Sequence, residues 1–379
     1  MDCKAVKAVL RRVFVVRKDV FSLIVCLLAA SPALAQPRID RIEGNWAPGS
    51  TITLFGQFPT KSTAQPLRWD TLDNQPGYES RSVGHGNIIP STSGDWGIAP
   101  CPDCPWDINQ PDWSSPMRYW DQDHRTSARP FYRVEEKGWF RLDDLGDSSP
   151  NQIYMSWWFR TSAPDLTLGS NKLVRLWADT ERAEGSMSWT GMHFTYTPDA
   201  NHDGVNDAGD THDIIWGSWG GSQDSWHHLE LIYDGTGDVN HGFGSVRIVR
   251  DGRVVHEAHD AYGIMPWNRL YVFGFDASVS SNFTGETFDF SEIYIDTSLS
   301  RVVAANAPRY RDATHMEMQI PVSWTEDHIE LTSNIGSFGS LEDVWIYVFD
   351  QEGLVNEVGF SLTAPDAGPP GQPGQPVIQ

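Results

Sequence analysis

Residues 226–233 read WHHLELIY and residues 245–258 read SVRIVRDGRVVHEA, and these two stretches decide the fold. Both are rich in the β-branched and aromatic residues that favour strands. In the second stretch, Asp251 and Gly252 separate two such runs, and an Asp-Gly pair supplies the positive φ that a two-residue hairpin turn needs. The pattern predicts a strand over 226–233 and a hairpin with arms 245–250 and 253–258.

Similar runs recur along the chain between positions rich in Gly, Asp, Asn and Pro. They predict further strands over residues 131–142, 152–160, 172–178, 188–196, 213–218, 269–276 and 287–296. No stretch has the apolar repeat of an amphipathic helix. The segment 66–130 has few strand signals and is expected to form long loops. Strands at this spacing predict an all-β fold, a two-sheet antiparallel jelly-roll sandwich.

Residues 152–296 resemble the concanavalin A-like lectin/glucanase superfamily. The pieces that carry the resemblance are 153–160 (IYMSWWFR), 226–233, the Asp-Gly hairpin 246–255 (VRIVRDGRVV) and 288–296 (FDFSEIYID). The superfamily includes laminin-G-like modules, lectins, glycan hydrolases and jelly-roll polysaccharide lyases. The resemblance therefore implies the fold and a glycan partner, but it does not select a chemistry.

The two ends of the chain carry a second resemblance. Residues 39–44 (IDRIEG) and 49–58 (GSTITLFGQF) resemble the opening of an immunoglobulin-like IPT/TIG domain, and residues 318–324, 329–331, 345–353 and 357–362 resemble its later strands. One small sandwich would then be split into 36–62 and 311–363, with a jelly roll at 63–310 inserted in its loop 58–63. The alternative is two separate β appendages. Insertion requires the strand containing Ile52 to pair with the region 320–331.

The first thirty-five residues have the features of a signal peptide. A basic start precedes an apolar run at 20–30, and Ala33-Leu34-Ala35 forms a small-x-small cleavage site. The alternative is a membrane anchor. Cleavage near Ala35 predicts a secreted or periplasmic protein, with no membrane insertion of the mature chain, and we expect a monomer. The Pro/Gly-rich tail 364–379 is expected to be disordered.

Charge narrows the range of partners. The formal net charge is −22, and because the leader carries six Lys/Arg and two Asp/Glu, that of the mature chain is about −26. Such a surface repels nucleic acid. It is compatible with neutral sugars and attracts cations. An anionic polysaccharide would need a local basic cleft or a bridging metal.

The segment 199–210 reads DANHDGVNDAGD and predicts a Ca²⁺ site. Oxygen ligands at the first, third and fifth positions converge on one point, a glycine at position six permits the turn, and Ca²⁺ takes six to eight oxygens. The loop resembles EF-hand and dockerin calcium loops, but it has Asp at position twelve and no flanking helices. The alternative is a solvated acidic turn. The candidate ligands are Asp199, Asn201, Asp203, the Val205 carbonyl, Asp207 and Asp210.

Two cysteines follow the leader, Cys101 and Cys104, in the sequence PCPDCP. Two thiols cannot complete a structural zinc site. In an oxidising compartment they favour a local disulfide.

Catalytic motifs are sparse. Hydrolases of the laminarinase type carry E-x-D-x-(x)-E on one strand, which is absent here. Asp289 and Glu292 are three apart, which predicts opposite faces of a strand. A lyase needs a group that neutralises a uronate carboxylate and a base. Arg175, His193 and a tyrosine, Tyr154 or Tyr196, could form that set, although the lyase families' Gln-Ile/Val-His strand is missing. The alternatives are a surface ion pair for Arg175 and a packed histidine for His193.

The leading hypothesis is a secreted, calcium-binding, glycan-recognition protein. An aromatic face covers the C–H face of a pyranose well, and the candidate stacking residues beside Arg175 and His193 are Trp177, Trp189, Trp216 and Trp219. The first alternative is a uronate polysaccharide lyase that uses Arg175, His193 and Tyr196. The second is a non-catalytic extracellular structural or adhesion module. The motifs do not decide whether the chain is an enzyme.

Overall fold

Regular β structure dominates a computed structural model of the chain. It describes residues 36–74, 118–126, 129–135, 139–142, 152–163, 172–177, 184–188, 222–234, 244–261, 269–273 and 283–363. Within these ranges, no helix combines the length and the apolar character needed to cross a membrane. The predicted signal peptide 1–35 and the predicted disordered tail 364–379 lie outside them.

The described residues form nineteen strands, all paired antiparallel where pairing is recorded, and a 3-10 turn at Tyr310–Asp312. The all-β prediction is therefore confirmed. In chain order the strands are β1 (Arg38–Glu43), β2 (Thr51–Gln57), β3 (Arg68–Asp70), β4 (Arg118–Trp120), β5 (Phe131–Val134), β6 (Trp139–Leu142), β7 (Gln152–Thr161), β8 (Lys172–Trp177), β9 (Glu184–Ser188), β10 (His227–Asp234), β11 (Gly244–Arg250), β12 (Arg253–Ala261), β13 (Arg269–Phe273), β14 (Phe288–Asp296), β15 (Arg301–Ala305), β16 (Met316–Trp324), β17 (His328–Thr332), β18 (Trp345–Phe349) and β19 (Phe360–Ser361).

Two sheets make up the jelly-roll sandwich. The eight-stranded sheet has the order β12-β11-β10-β7-β14-β5-β4, with β3 also paired to β14, and the four-stranded sheet has the order β6-β13-β8-β9. The single strand predicted over 131–142 is wrong, because β5 pairs with β14 and β6 with β13, in different sheets. The polar residues Glu135, Glu136 and Lys137, followed by Gly138, separate the two strands in the sequence.

The predicted hairpin is present between β11 and β12. Asp251 and Gly252 form its turn with φ angles of 47° and 75°, and Arg250 pairs with Arg253. Two positive φ angles in a two-residue loop match the twist of the flanking strands. The Asp-Gly sequence therefore fixed this register locally.

A seven-stranded end sheet joins the two ends of the chain. Its order is β1-β2-β17-β16-β15-β18-β19. Leu54 of β2 pairs with Ile329 of β17, and Ile52 pairs with Leu331, so the pairing that insertion requires is present. β15 also belongs to this sheet, although it precedes the boundary at 310 predicted from the sequence. The IPT/TIG assignment and the domain boundaries stay predictions.

One half of the end sheet is buried on both faces, which explains why β15 (RVVAA) and β18 (WIYVF) are almost uninterrupted apolar runs. Alternate residues of a strand point to opposite faces. On one face, Val302 and Ile346 pack in a cluster with Ile52 and Leu54 of β2. On the other face, residues of both strands pack against the jelly roll: Val303, Ala305, Tyr347 and Phe349 cluster with Tyr154 of β7 and Tyr294 of β14.

The β11–β12 turn also contacts the segment that leads into β16. A Cβ added at Gly252 would lie 2.0 Å from the carbonyl oxygen of Ala313, whereas one added at Gly49, with a nearly equal φ of 76°, would meet nothing within 4 Å. We expect Gly49→Ala to destabilise the protein by about 1 kcal/mol through its φ alone. Gly252→Ala should cost about 2 kcal/mol more because of the backbone clash. Urea unfolding of both variants measures the difference, and equal losses would contradict the contact.

Candidate functional site

The structure places only some of the residues predicted to form a site. Arg175 and Trp177 lie two residues apart on β8. The others lie outside the described residues: His193, Tyr196, Trp189, Trp216 and Trp219 of the sugar or lyase site, Asp199, Asn201, Asp203, Val205, Asp207 and Asp210 of the calcium loop, and Cys101 and Cys104 of the disulfide. These assignments stay predictions.

The backbone register of the four-stranded sheet places Arg175 in a lateral row of polar residues. Arg175 pairs with Tyr271 of β13 on one side and with Ser186 of β9 on the other, and Tyr271 pairs in turn with Arg141 of β6. Directly paired residues of an antiparallel sheet share a face. The row Arg141–Tyr271–Arg175–Ser186 is therefore assigned to one face of the sheet.

The rows on either side of this one are apolar. Val174 and Leu270, one residue away from Arg175 and Tyr271 along their strands, are buried. Their pairing partners are Val272 and Leu176, respectively. Since successive residues alternate between faces, the apolar rows form the interior face and the row of Arg175 belongs to the outer face. The next row on that outer face contains Trp177, paired with Arg269 and Glu184.

The sequence motifs did not indicate Arg141 and Tyr271 as companions of Arg175. The alternation in residues 269–273 (RLYVF) is a signal that Tyr271 lies opposite Leu270 and Val272. No signal in the sequence specifies that β6 and β8 flank β13, because strand neighbours far apart in the chain depend on the tertiary fold.

The outer face of the eight-stranded sheet is covered. Ser156 and Trp158 of β7, with His228 and Glu230 of β10, are all buried. Tyr154 is fully buried in the cluster with Val303 and Met318. The described part of this face is thus packed against the end sheet and against residues 118–126 and 129–130, and it is not an open sugar-binding surface.

Tyr154 cannot supply the tyrosine of a lyase, and that hypothesis is wrong. Its hydroxyl donates to Glu230 Oε2 at 2.7 Å and lies 3.4 Å from Met318 Sδ. Burial and the nearby Glu230 carboxylate both raise the pKa of Tyr154 far above its usual value. The physical reason is the end sheet, which excludes water and substrate from this part of β7.

A buried ion-pair network fills the covered face. Arg125 donates two parallel hydrogen bonds to Glu317 of β16, from Nη1 to Oε1 at 2.6 Å and from Nη2 to Oε2 at 2.8 Å, and it also pairs with Glu292. Its guanidinium lies 3.9 Å from the centre of the Trp158 ring. Arg129 Nη1 donates to Glu292 Oε1 at 2.6 Å. The two carboxylates therefore share Arg125, and Arg129 is a second cation for Glu292.

The network keeps Glu317 ionised. Burial alone would raise the pKa of Glu317, but the charge and hydrogen bonds of Arg125 outweigh it and hold the pKa far below its ordinary value. His315 Nε2 lies 2.8 Å from Oε1 of the same carboxylate, and the Ser337 backbone N–H donates to that oxygen at 2.9 Å. Saturated in this way, Glu317 is a structural anion.

Glu292 does not lie on the face that the three-residue spacing from Asp289 predicted. The β14–β7 register shifts between Ser291 and Tyr294, and Glu292 has a positive φ of 51°. Such a bulge places an extra residue on one strand and turns its side chain. Asp289 and Glu292 consequently both meet arginines on the covered face, so the prediction of opposite faces is wrong.

Asp289 is also fully engaged. Arg133 Nε donates to its Oδ1 at 2.7 Å, and Arg160 Nε donates to its Oδ2 at 2.8 Å. Asp289 is 1% exposed. A carboxylate with both oxygens held by buried ion pairs cannot act as the acid or nucleophile of a hydrolase, which agrees with the missing hydrolase motif.

A serine–histidine contact on the same face is structural. His124 Nε2 lies 2.7 Å from Ser291 Oγ, and its ring stacks on Phe131 and meets Trp226 edge-on. Burial lowers the pKa of His124 to about 4, and the charges of Arg125, Arg129 and Arg160 act in the same direction. Ser291 is buried in the middle of β14, so a substrate cannot reach it.

Comparison with known proteins identifies no family. No protein-family model matches the sequence, and no curated protein matches it. Among the solved structures that resemble the chain, the likeness of the following three is weak. The botulinum neurotoxin serotype D/C VPI 5993 binding domain has a TM-score of 0.29 and 10% identity over 44% of this chain and 40% of its own. The marine PL-14 alginate lyase from Aplysia kurodai has a TM-score of 0.31 and 11% identity over 47% of this chain and 86% of its own. The metal-free carbohydrate recognition domain of Emp46p has a TM-score of 0.26 and 14% identity over 44% of this chain and 82% of its own.

The chain therefore spans less than half of the neurotoxin domain that it matches. Similarity at these TM-scores is too low to assign a fold family or a function.

The ion-pair network generates a stability prediction. Glu317→Gln leaves Arg125 and Arg129 with one carboxylate, and we expect a loss of about 3 kcal/mol because an excess charge stays buried. Glu257→Gln is the matched control: Glu257 pairs with Arg247 in an exposed bridge, and its loss should be at most about 0.5 kcal/mol. Urea unfolding at neutral pH measures both. Similar losses in the two variants would show that the network contributes no more than a surface pair.

Proposed function

We propose that the chain binds a polysaccharide through the outer face of the four-stranded sheet. One observation carries the proposal: the register assigns Arg141, Tyr271, Arg175 and Ser186 to one row of that face, with Trp177 in the next row. The buried residues Val174 and Leu270 mark the opposite face as the interior.

The rest of the jelly roll supports this choice by elimination within the described residues. The outer face of the eight-stranded sheet holds the buried network of Arg125, Glu292 and Glu317 and is packed against the end sheet. A long polymer needs an open surface, because it must extend past the protein at both ends. The four-stranded sheet is the other sheet of the sandwich, and its outer rows contain residue types suited to binding a sugar.

The residue types in the two rows suit a sugar polymer. Tryptophan and tyrosine rings cover the apolar C–H face of a pyranose. Arginine and serine provide hydrogen-bond donors for ring substituents. In this proposal Trp177 stacks against a sugar and Arg175 fixes its orientation, and Trp189, Trp216 and Trp219 are further candidates for stacking.

A second candidate function is a uronate lyase, which the place of Tyr271 between two arginines favours. An arginine would neutralise the uronate carboxylate, and Tyr271 would take the proton at C5. The bond from C4 to the linking oxygen then breaks, a C4–C5 double bond forms, and the proton passes to the leaving oxygen. In this version Tyr271 takes the part that the sequence suggested for Tyr154, while Arg175, His193 and Tyr196 stay candidates.

Export and calcium complete the proposal. The leader-like residues 1–35 support a secreted or periplasmic location. The acidic loop 199–210, between β9 and β10 in the chain, would bind Ca²⁺ through Asp199, Asn201, Asp203, Val205, Asp207 and Asp210. The ion would neutralise part of the loop's charge and order its backbone.

Glycan binding is tested with Trp177→Ala. We expect the purified chain to bind at least one polymer of a glycan array, and the variant to bind it about tenfold more weakly because a stacking surface is lost. The control is Trp120→Ala, on the edge strand β4 of the other sheet, which should leave affinity unchanged. The same polymers are incubated with the chain and read by absorbance for unsaturated products. Such products identify the lyase function.

Two outcomes contradict the proposal. If Trp177→Ala leaves affinity unchanged, the sugar does not bind at this face. If no polymer binds and no product forms, the non-catalytic structural or adhesion module takes the place of the glycan proposal.

Calcium binding is tested by thermal unfolding with added Ca²⁺ and with a chelator. A ligand at a hundredfold excess over its dissociation constant stabilises the native state by about 2.7 kcal/mol, so the melting temperature should rise with Ca²⁺. Asp203→Asn combined with Asp207→Asn should abolish the response. Asp224→Asn, an exposed residue outside the loop, should retain it. A parent protein whose melting temperature does not depend on Ca²⁺ would refute the site.

A further inference from the structure

Charge is distributed unevenly among the three sheets. The strands of the four-stranded sheet contain four Lys/Arg and one Glu. The strands of the eight-stranded sheet contain seven Lys/Arg and eight Asp/Glu. The strands of the end sheet contain three Lys/Arg and four Asp/Glu. The whole chain has a formal net charge of −22. The four-stranded sheet is thus a cationic element in a strongly acidic protein.

We infer that the ligand of this sheet is an anionic polysaccharide, one that carries carboxylate or sulfate groups. The inference rests on the proposed glycan function and names its substrate class. A protein of this net charge repels a polyanion at long range. Binding therefore requires a local basic surface, and the strands β6, β8 and β13 bring one together.

The placement of the arginines fits a repeating anion. Arg141 and Arg175 stand two strands apart in one row, which is about 10 Å, a span of the order of a disaccharide. No acidic residue belongs to that row, which Tyr271 and Ser186 complete. Arg269 occupies the next row of the same face. A planar guanidinium matches a carboxylate or sulfate with two parallel hydrogen bonds.

The arginines on or against the covered face of the eight-stranded sheet are already paired with carboxylates. Arg133 and Arg160 share Asp289, with Nε to carboxylate distances of 2.7 and 2.8 Å. Arg125 holds Glu317, and Arg301 lies 3.8 Å from Glu230. Those cations offset buried carboxylates. In the four-stranded sheet, the described strands contain four Lys/Arg and one acidic residue, Glu184.

The experiment measures binding of the purified full chain to three polymers: polygalacturonate with carboxylates, dextran sulfate with sulfates, and neutral dextran. We expect polygalacturonate, dextran sulfate or both to bind, and dextran not to bind. Arg141→Gln with Arg175→Gln should weaken that binding at least about tenfold, because charge-assisted hydrogen bonds are lost. Each single variant should show part of the loss, which keeps the test valid if the double variant misfolds by circular dichroism.

The control removes the same charge elsewhere. Arg247→Gln with Arg253→Gln alters two exposed residues of the β11–β12 hairpin and should change affinity less than about twofold, since exposed charges far from a site act weakly. If the control weakens binding as much as Arg141→Gln with Arg175→Gln, attraction is diffuse and the inference is overturned.

The remaining outcomes separate the inference from the proposed function. If only neutral glycans bind, whether dextran or polymers of the glycan array, the anionic ligand is refuted while the glycan function stands. If neither anionic nor neutral polymers bind, the proposed function fails and this inference fails with it. If an anionic polymer binds and the arginine variants retain full affinity, the ligand class stands but its assignment to the four-stranded sheet is refuted.

Discussion

Neutralisation of buried carboxylates on one face of the eight-stranded sheet constrains the rest of the molecule. Glu230, Glu292, Asp289 and Asp296 are each at most 3% exposed. An ionised carboxylate without a partner cannot be buried at acceptable free energy. Each of these groups therefore needs a cation, and the cations come from residues distant in the sequence. Arg301 lies near Glu230, and Arg125 and Arg129 pair with Glu292. Arg133 and Arg160 pair with Asp289, and Lys61 pairs with Asp296. The charges tie distant segments together.

The buried pair of Lys61 and Asp296 shows how the chain ends are linked to the jelly roll. Lys61 Nζ donates to Asp296 Oδ2 at 2.6 Å, and both side chains are almost fully buried. Burial raises the pKa of Asp296, although Lys61 acts against that shift. Lys61 follows β2 of the end sheet, and Asp296 ends β14 of the jelly roll. The pair therefore joins the two parts where the chain passes from one to the other, and the apolar cluster around Tyr154 and Tyr294 continues the contact.

Covering one sheet has a consequence for function. The eight-stranded sheet uses its polar outer face to hold the end sheet, so its arginines and carboxylates serve stability. The four-stranded sheet has a different balance, with Arg141, Arg175 and Arg269 assigned to outer rows and a single acidic residue in its strands. The two sheets of the sandwich thus differ in role. The eight-stranded sheet anchors the end sheet, and the four-stranded sheet is the proposed ligand surface.

The sequence by itself determined the strands and one turn. Local composition and period-two alternation specify most strands from β7 to β14, and Asp251-Gly252 specifies its hairpin, because these depend on neighbouring residues. Sequence patterns failed where residues distant in the sequence decide the structure. β5 and β6 separate into different sheets, the bulge at Glu292 turns that carboxylate toward Arg125, and Tyr154 is buried by a sheet from the chain ends. The row of Arg141, Tyr271 and Arg175 likewise exists only because tertiary pairing brings β6, β13 and β8 side by side.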